Sequence, residues 1–135
     1  MRRIKKQRFR RRKAAKRRGY NSYERRDGTL RTWFSITSYP EYLQSELWKT
    51  IRGKVFATKG VTCHCCRKRR ATSVHHQEYD YKTLAGESLD HLYPICESCH
   101  KRIERNSDGS KVKNFETVQR RFLKLCIRNN SGRDD

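Results

Sequence analysis

The sequence is short of the residues that build a large core. Only 33% of its 135 residues are hydrophobic, and it has one methionine, two tryptophans and two prolines. A chain of that length has room for one domain. A core this thin needs a staple, which in small domains is a set of disulfides or a metal. Long apolar runs are missing as well: nothing approaches the roughly 20 residues of a membrane span. No apolar stretch of a secretory signal follows the basic start. The expectation is a protein that is neither membrane-embedded nor secreted: cytoplasmic or nucleoid-associated in a bacterium or phage, nuclear or organellar in a eukaryote. Acids are scarce too, with 14 Asp and Glu against 34 Lys and Arg, a net charge of +20.

What is present is unevenly placed. Residues 1–18 hold twelve of the bases and no acid. Such a block repels itself and is expected to be disordered until it meets a polyanion. Nucleic acid, with DNA favoured, is the expected partner, because neutralising phosphates releases counterions whatever the sequence. Arg10, Arg11, Arg12, Lys13, Lys16, Arg17 and Arg18 are the candidate contacts. An anionic membrane surface competes poorly, since Ile4 and Phe9 are too few for an amphipathic anchor.

Three units follow from the pattern: a basic arm and linker over 1–39, a domain over 40–128 and a polar tail over 129–135. Within the linker, Gly19, Asn21, Gly28 and Pro40 favour turns, and Trp33, Phe34 and Ile36 are available to dock. From Glu41 the pattern turns helical, with Leu43, Leu47, Trp48, Ile51 and Val55 on one stripe and Gly60 placed to stop it. Lys49, Arg52 and Lys59 lie off that stripe, as phosphate contacts or as an ordinary solvated face. A strand-like piece falls at 71–76, a loop at 80–90 with Gly86 as its hinge, and an extended-then-helical segment around Pro94. Phe115, Val118, Phe122, Leu125 and Cys126 make a last helical stripe. The fold class is therefore α+β.

Cys63-x2-Cys66 is followed, 29 residues later, by Cys96-x2-Cys99. Two such pairs suit a tetrahedral Zn²⁺ ion, each knuckle giving two thiolates. Without a secretory signal, clustered cysteines favour a metal over disulfides. Cys65 is an alternative ligand inside the first knuckle, and Cys126 reads as a core residue. Four of the five histidines, His75, His76, His91 and His100, lie between or just after the knuckles.

The run C-x2-C, then VHHQEY, GE and LDHLYPICESCH resembles the motif of the HNH endonucleases, and the helical segment before the first knuckle is similar to theirs. The resemblance covers residues 40–104. It implies a small zinc-stapled ββα-metal core with flanking helices, and a metal-dependent endonuclease that hydrolyses phosphodiester bonds. His76 matches the general base that activates water. His75, His91 and His100 match positions that bind the catalytic Mg²⁺ or another divalent ion, and Cys63, Cys66, Cys96 and Cys99 match the structural zinc ligands. His91 departs from the family, standing where an asparagine is usual. Asp90 takes its place if the register slips by one, and Glu104 stands where many relatives carry a further histidine. An imidazole titrating near neutrality suits proton abstraction from water, and a divalent ion offsets phosphoryl charge. For His75 and His76 to share one site, the strand must end or bulge there, since strand neighbours point to opposite faces. The alternative is a non-catalytic zinc-containing module that grips nucleic acid without cutting it.

Overall fold

The computed structural model describes residues 22–131, so the arm residues Arg10 to Arg18 lie outside the described residues. Among the described residues six helices and two strands follow in order: α1 (Ser22–Phe34), α2 (Tyr39–Gln44), α3 (Glu46–Lys59), β1 (Ser73–His76), α4 (Tyr81–Ala85), β2 (Leu92–Ile95), α5 (Glu97–Glu104) and α6 (Phe115–Ser131). This is a small α+β fold. No helix among the described residues is long and apolar enough to cross a membrane.

The expected linker contains a helix. Within α1, Leu30 is fully buried against Tyr42, Trp48 and Leu84, while Phe34 and Ile36 pack at the edge of that cluster. Trp33 stays 67% exposed, edge-on to Tyr81. The apolar period was too sparse to reveal this helix, because one leucine and a charged side chain do most of the docking. Arg26 lies 3.9 Å from the Tyr39 ring centroid and 5.0 Å from those of Tyr23 and Tyr79. Cation–π contacts of this kind fix a polar helix that has little apolar surface to offer. Replacing Leu30 with alanine is expected to cost about 2–5 kcal/mol, the range for truncating a buried leucine. Urea unfolding reads this directly, and an unchanged midpoint would mean that α1 does not belong to the folded unit.

The stripe expected as one helix is two. Ser45 adopts an extended backbone, accepts from the Trp48 amide at 3.1 Å and donates to the Tyr42 carbonyl at 2.6 Å. A serine cap starts a new helix at the cost of the old one, and the phase shifts at the break. Tyr42 therefore faces the core in place of Leu43, which is 39% exposed. The Tyr42 hydroxyl donates to the Leu84 carbonyl at 2.8 Å. Gly60 ends α3 with a φ of 88°, as the sequence suggested. Gly86 ends α4 in the left-handed region, and a Cβ there would come within 2.6 Å of the Ile51 side chain.

The strands pair antiparallel, with Val74 opposite Pro94, His75 opposite Tyr93 and His76 opposite Leu92. They divide the core in two. Val74 and Leu92 join Leu30, Tyr42, Trp48, Ile51, Val55 and Leu84 on one side. Ile95 joins Ile103, Val118, Phe122 and the buried cysteines on the other. The two-residue period of a strand thus sends neighbouring histidines into different surroundings.

Candidate metal centre and histidine cluster

The first knuckle is held by backbone. Thr62 bridges Arg70, the Cys63 amide donates to the Arg69 carbonyl at 2.9 Å, and the His64 amide donates to the Pro94 carbonyl at 2.8 Å. The second knuckle is the start of a helix. Cys96 caps α5, its sulfur accepting from the Cys99 amide at 3.4 Å. A helix N-terminus favours negative charge, which suits thiolates there. The sulfurs of Cys63, Cys66, Cys96 and Cys99 all lie within 4.8 Å of one another. Four thiols at that spacing fit one structural zinc ion, the donor set and number being those of closed tetrahedral sites.

Cys65 does not join them. Its sulfur lies 3.1 Å from that of Cys126 on α6, and both side chains are buried. Hydrogen bonding to Cys126 and Cys63, with burial, pushes the Cys65 thiol up, so that it stays protonated. The bond from Cys65 is the main cause that draws Cys63 down to about 3, into the thiolate form a metal needs. Cys126 is accordingly a core residue that also links the first knuckle to the last helix.

Beyond the knuckles, His76 ends β1 inside an aromatic box. Its ring stacks on Trp48 at 4.7 Å and on Tyr79 at 5.1 Å, with the Tyr39 ring at 5.9 Å. Nδ1 lies 3.2 Å from the Tyr39 hydroxyl, whereas Nε2 is buried without a hydrogen-bond partner among the described residues. Burial, then the charges of His75, Arg26 and His100, lower its pKa to about 3. His75 faces the other way, its ring 4.4 Å from Phe122 and its Nε2 2.9 Å from Gln119 Oε1. Burial lowers its pKa to about 4.

His100 lies beside His75 and lines the same cavity as His76. It directly follows the ligand position Cys99, so the knuckle fixes it. Its ring lies 6.1 Å from that of His75, and its Nε2 is 2.9 Å from Glu104 Oε1 one turn on. Burial pushes the Glu104 carboxyl up, but the hydrogen bond and charge of His100 outweigh it and hold the group below its ordinary value. A cavity of about 370 Å³ is lined by His76, His100, Glu104, Arg52, Lys111 and Trp48, among others.

His91 does not line that cavity. It stands just before β2, with Nδ1 3.4 Å from Gln77 Oε1. No histidine among the described residues joins a donor cluster as tight as that of the four cysteines. The three bases read from sequence as phosphate contacts or a solvated face are partly engaged within the chain. Lys49 pairs with Glu46, Arg52 donates to the Thr72 carbonyl at 2.8 Å, and Lys59 donates to the Leu89 and Leu92 carbonyls. Sequence reasoning missed Tyr39, Tyr79, Lys111 and Gln119. Gln119 alone left a trace, as a polar interruption four residues after Phe115 and three before Phe122 on an apolar stripe. Comparison with known proteins finds no matching family model, no matching curated protein and no matching solved structure.

Proposed function

We propose that the chain is a metal-dependent endonuclease of the HNH type, with a ββα-metal core made of β1, β2 and α5. The observation that carries this reading is one cavity lined by His76, His100 and Glu104 together with Arg52 and Lys111. Imidazoles and a carboxylate at one wall are donors that a divalent cation accepts, and cationic side chains at the rim suit a phosphodiester. Of the residues that the resemblance assigns to the ion, His100 lines the cavity with Glu104, and His75, which does not line it, has its ring 6.1 Å from that of His100. When bound, the ion supplies positive charge to a phosphoryl group.

The remaining roles fall to the chain. If the Nδ1 proton of His76 is donated to Tyr39, the lone pair is left on Nε2, the form that can take a proton from water. Tyr39 and the stacked rings of Trp48 and Tyr79 hold that imidazole in one orientation. Arg52 and Lys111 sit where a phosphate would approach. DNA is the favoured substrate, and the arm over 1–18 adds affinity without base readout.

The alternative, a non-catalytic zinc-containing module that binds nucleic acid, is favoured by one observation: His76 Nε2 is fully covered, and the ring is a weak base while it remains so. Catalysis requires the side chains that cover Nε2 to yield. Plasmid cleavage separates the two readings. Wild-type protein with Mg²⁺ or Mn²⁺ is expected to nick or linearise supercoiled DNA. His76→Ala is expected to bind the plasmid but lose cleavage by about 10²–10⁴-fold, the contribution of a positioned general base. Metal-dependent cutting by His76→Ala at the wild-type rate would remove His76 from the chemistry, and binding without cutting by either protein would favour the module.

A further inference from the structure

Gln119 touches both adjacent histidines of β1 from α6. Its Nε2 lies 3.1 Å from the His76 carbonyl, and its Oε1 lies 2.9 Å from His75 Nε2. A carbonyl oxygen only accepts, so the amide nitrogen of Gln119 must face it. The amide oxygen is then left facing His75, and it too only accepts. His75 must therefore carry its proton on Nε2. The remaining ring nitrogen, Nδ1, keeps the lone pair.

We infer that Gln119 is a positioning residue that fixes the tautomer of His75 and so leaves Nδ1 as the ring nitrogen able to take a divalent cation. The inference rests on the nuclease reading for the cation and on hydrogen-bond chemistry alone for the tautomer. Ligand histidines generally donate their other N–H to a fixed acceptor, which sets ring orientation and raises ligand basicity. Here the acceptor is an amide whose own orientation is locked by a backbone carbonyl on the neighbouring residue. Phe122, with its ring 4.4 Å from that of His75, leaves the imidazole little freedom to turn. The same amide ties α6 to the end of β1, where the two histidine faces diverge.

The test uses the full chain with zinc in the cysteine site. Long-range ¹H–¹⁵N spectra of the histidine rings report tautomers directly, and Mn²⁺ titration followed by electron paramagnetic resonance reports cation affinity. Manganese prefers oxygen donors, of which Glu104 is one beside His100, and leaves thiolates to zinc. The expected result is His75 as the Nε2–H form in wild type. In Gln119→Met, which keeps length without hydrogen bonds, the tautomers mix and Mn²⁺ affinity falls about 10–100-fold. Gln119→Glu retains an acceptor for His75 and is expected to restore the Nε2–H form, which a purely structural role for Gln119 would not predict.

Wild-type His75 protonated on Nδ1 would overturn the inference. So would Gln119→Met that keeps wild-type tautomer and Mn²⁺ affinity while His75→Ala loses the ion. Should Gln119→Met fail to fold, the wild-type and Gln119→Glu spectra decide: loss of the Nε2–H form in Gln119→Glu counts against it. Equal Mn²⁺ affinity in wild type and His75→Ala would mark failure of the cation reading itself, and that outcome is distinct because the tautomer is read without the ion.

Discussion

Removing zinc from the cysteine site is expected to unfold the domain rather than loosen it. The four thiols are not appended to a core; they are part of one. Cys63, Cys96 and Cys99 are buried in the same cluster as Ile95, Ile103, Val118 and Phe122. Without an ion, thiolates would repel one another there, and protonated thiols would leave poor packing at the junction of both knuckles and α5. Structural zinc in small domains contributes on the order of 10–16 kcal/mol of apparent binding energy. A domain's whole stability is about 5–15 kcal/mol, so loss of the ion exceeds what the rest can supply. Circular dichroism and zinc release, followed together under a strong chelator, are expected to change in step. Cys99→Ser should purify without stoichiometric zinc and without a cooperative melt. Cys126→Ala is the control, since it removes a buried sulfur that lies outside the ligand set; it should keep its zinc and lose only about 1–3 kcal/mol of packing, the usual range for core truncation. An unaltered melt in protein shown to be zinc-free would refute the role given to the metal.

Much of this fold was legible because its signals are local. The paired C-x2-C spacing sets the metal site, and Gly60 marks where a helix stops. The segment over 80–90, expected as a loop hinged at Gly86, instead holds α4, which Gly86 ends. The strand holds both histidines, so its alternation turns His75 toward Phe122 and His76 toward Trp48 and Tyr79 rather than into one shared site. What stayed hidden depends on contacts distant in sequence. Helix α1 docks through Leu30 and the Arg26–tyrosine stack, neither of which gives a period in 13 residues. The break at Ser45 is a side-chain cap that outcompetes continuation of an apolar stripe, and a window average smooths over it. The histidines were visible as a cluster, but which of them meet is decided by strand alternation and by the knuckle that fixes His100. His91 shows the limit of motif position: its place in the sequence matches, yet its neighbour is Gln77 and the cavity lies elsewhere. Gln119 was hidden for a related reason, since its meaning arises only when α6 is laid across β1.

His76→Phe is expected to make the protein more resistant to acid while abolishing the proposed chemistry. The folded state holds His76 neutral to about pH 3, chiefly through burial and then through His75, Arg26 and His100. An unfolded histidine takes up its proton near pH 6.5. A depressed pKa of this kind contributes stability that is complete above the unfolded value and is lost as pH falls toward the folded one. By pH 5 the loss amounts to about 2 kcal/mol per such histidine, since the unfolded state alone has gained the proton. His75, held neutral to about pH 4, adds a similar loss. Phenylalanine keeps a ring between Trp48 and Tyr79, removes the unpartnered Nε2, and cannot titrate. Any steric cost of the larger ring is the same at every pH and cancels when the two proteins are compared at pH 7 and pH 5 with zinc in excess. Protonation of the zinc thiolates cancels in the same way, because both proteins carry them. The difference in unfolding free energy between variant and wild type should therefore shift by about 2 kcal/mol in favour of the variant on going from pH 7 to pH 5. A difference that stays constant would mean that His76 is not held neutral by its surroundings.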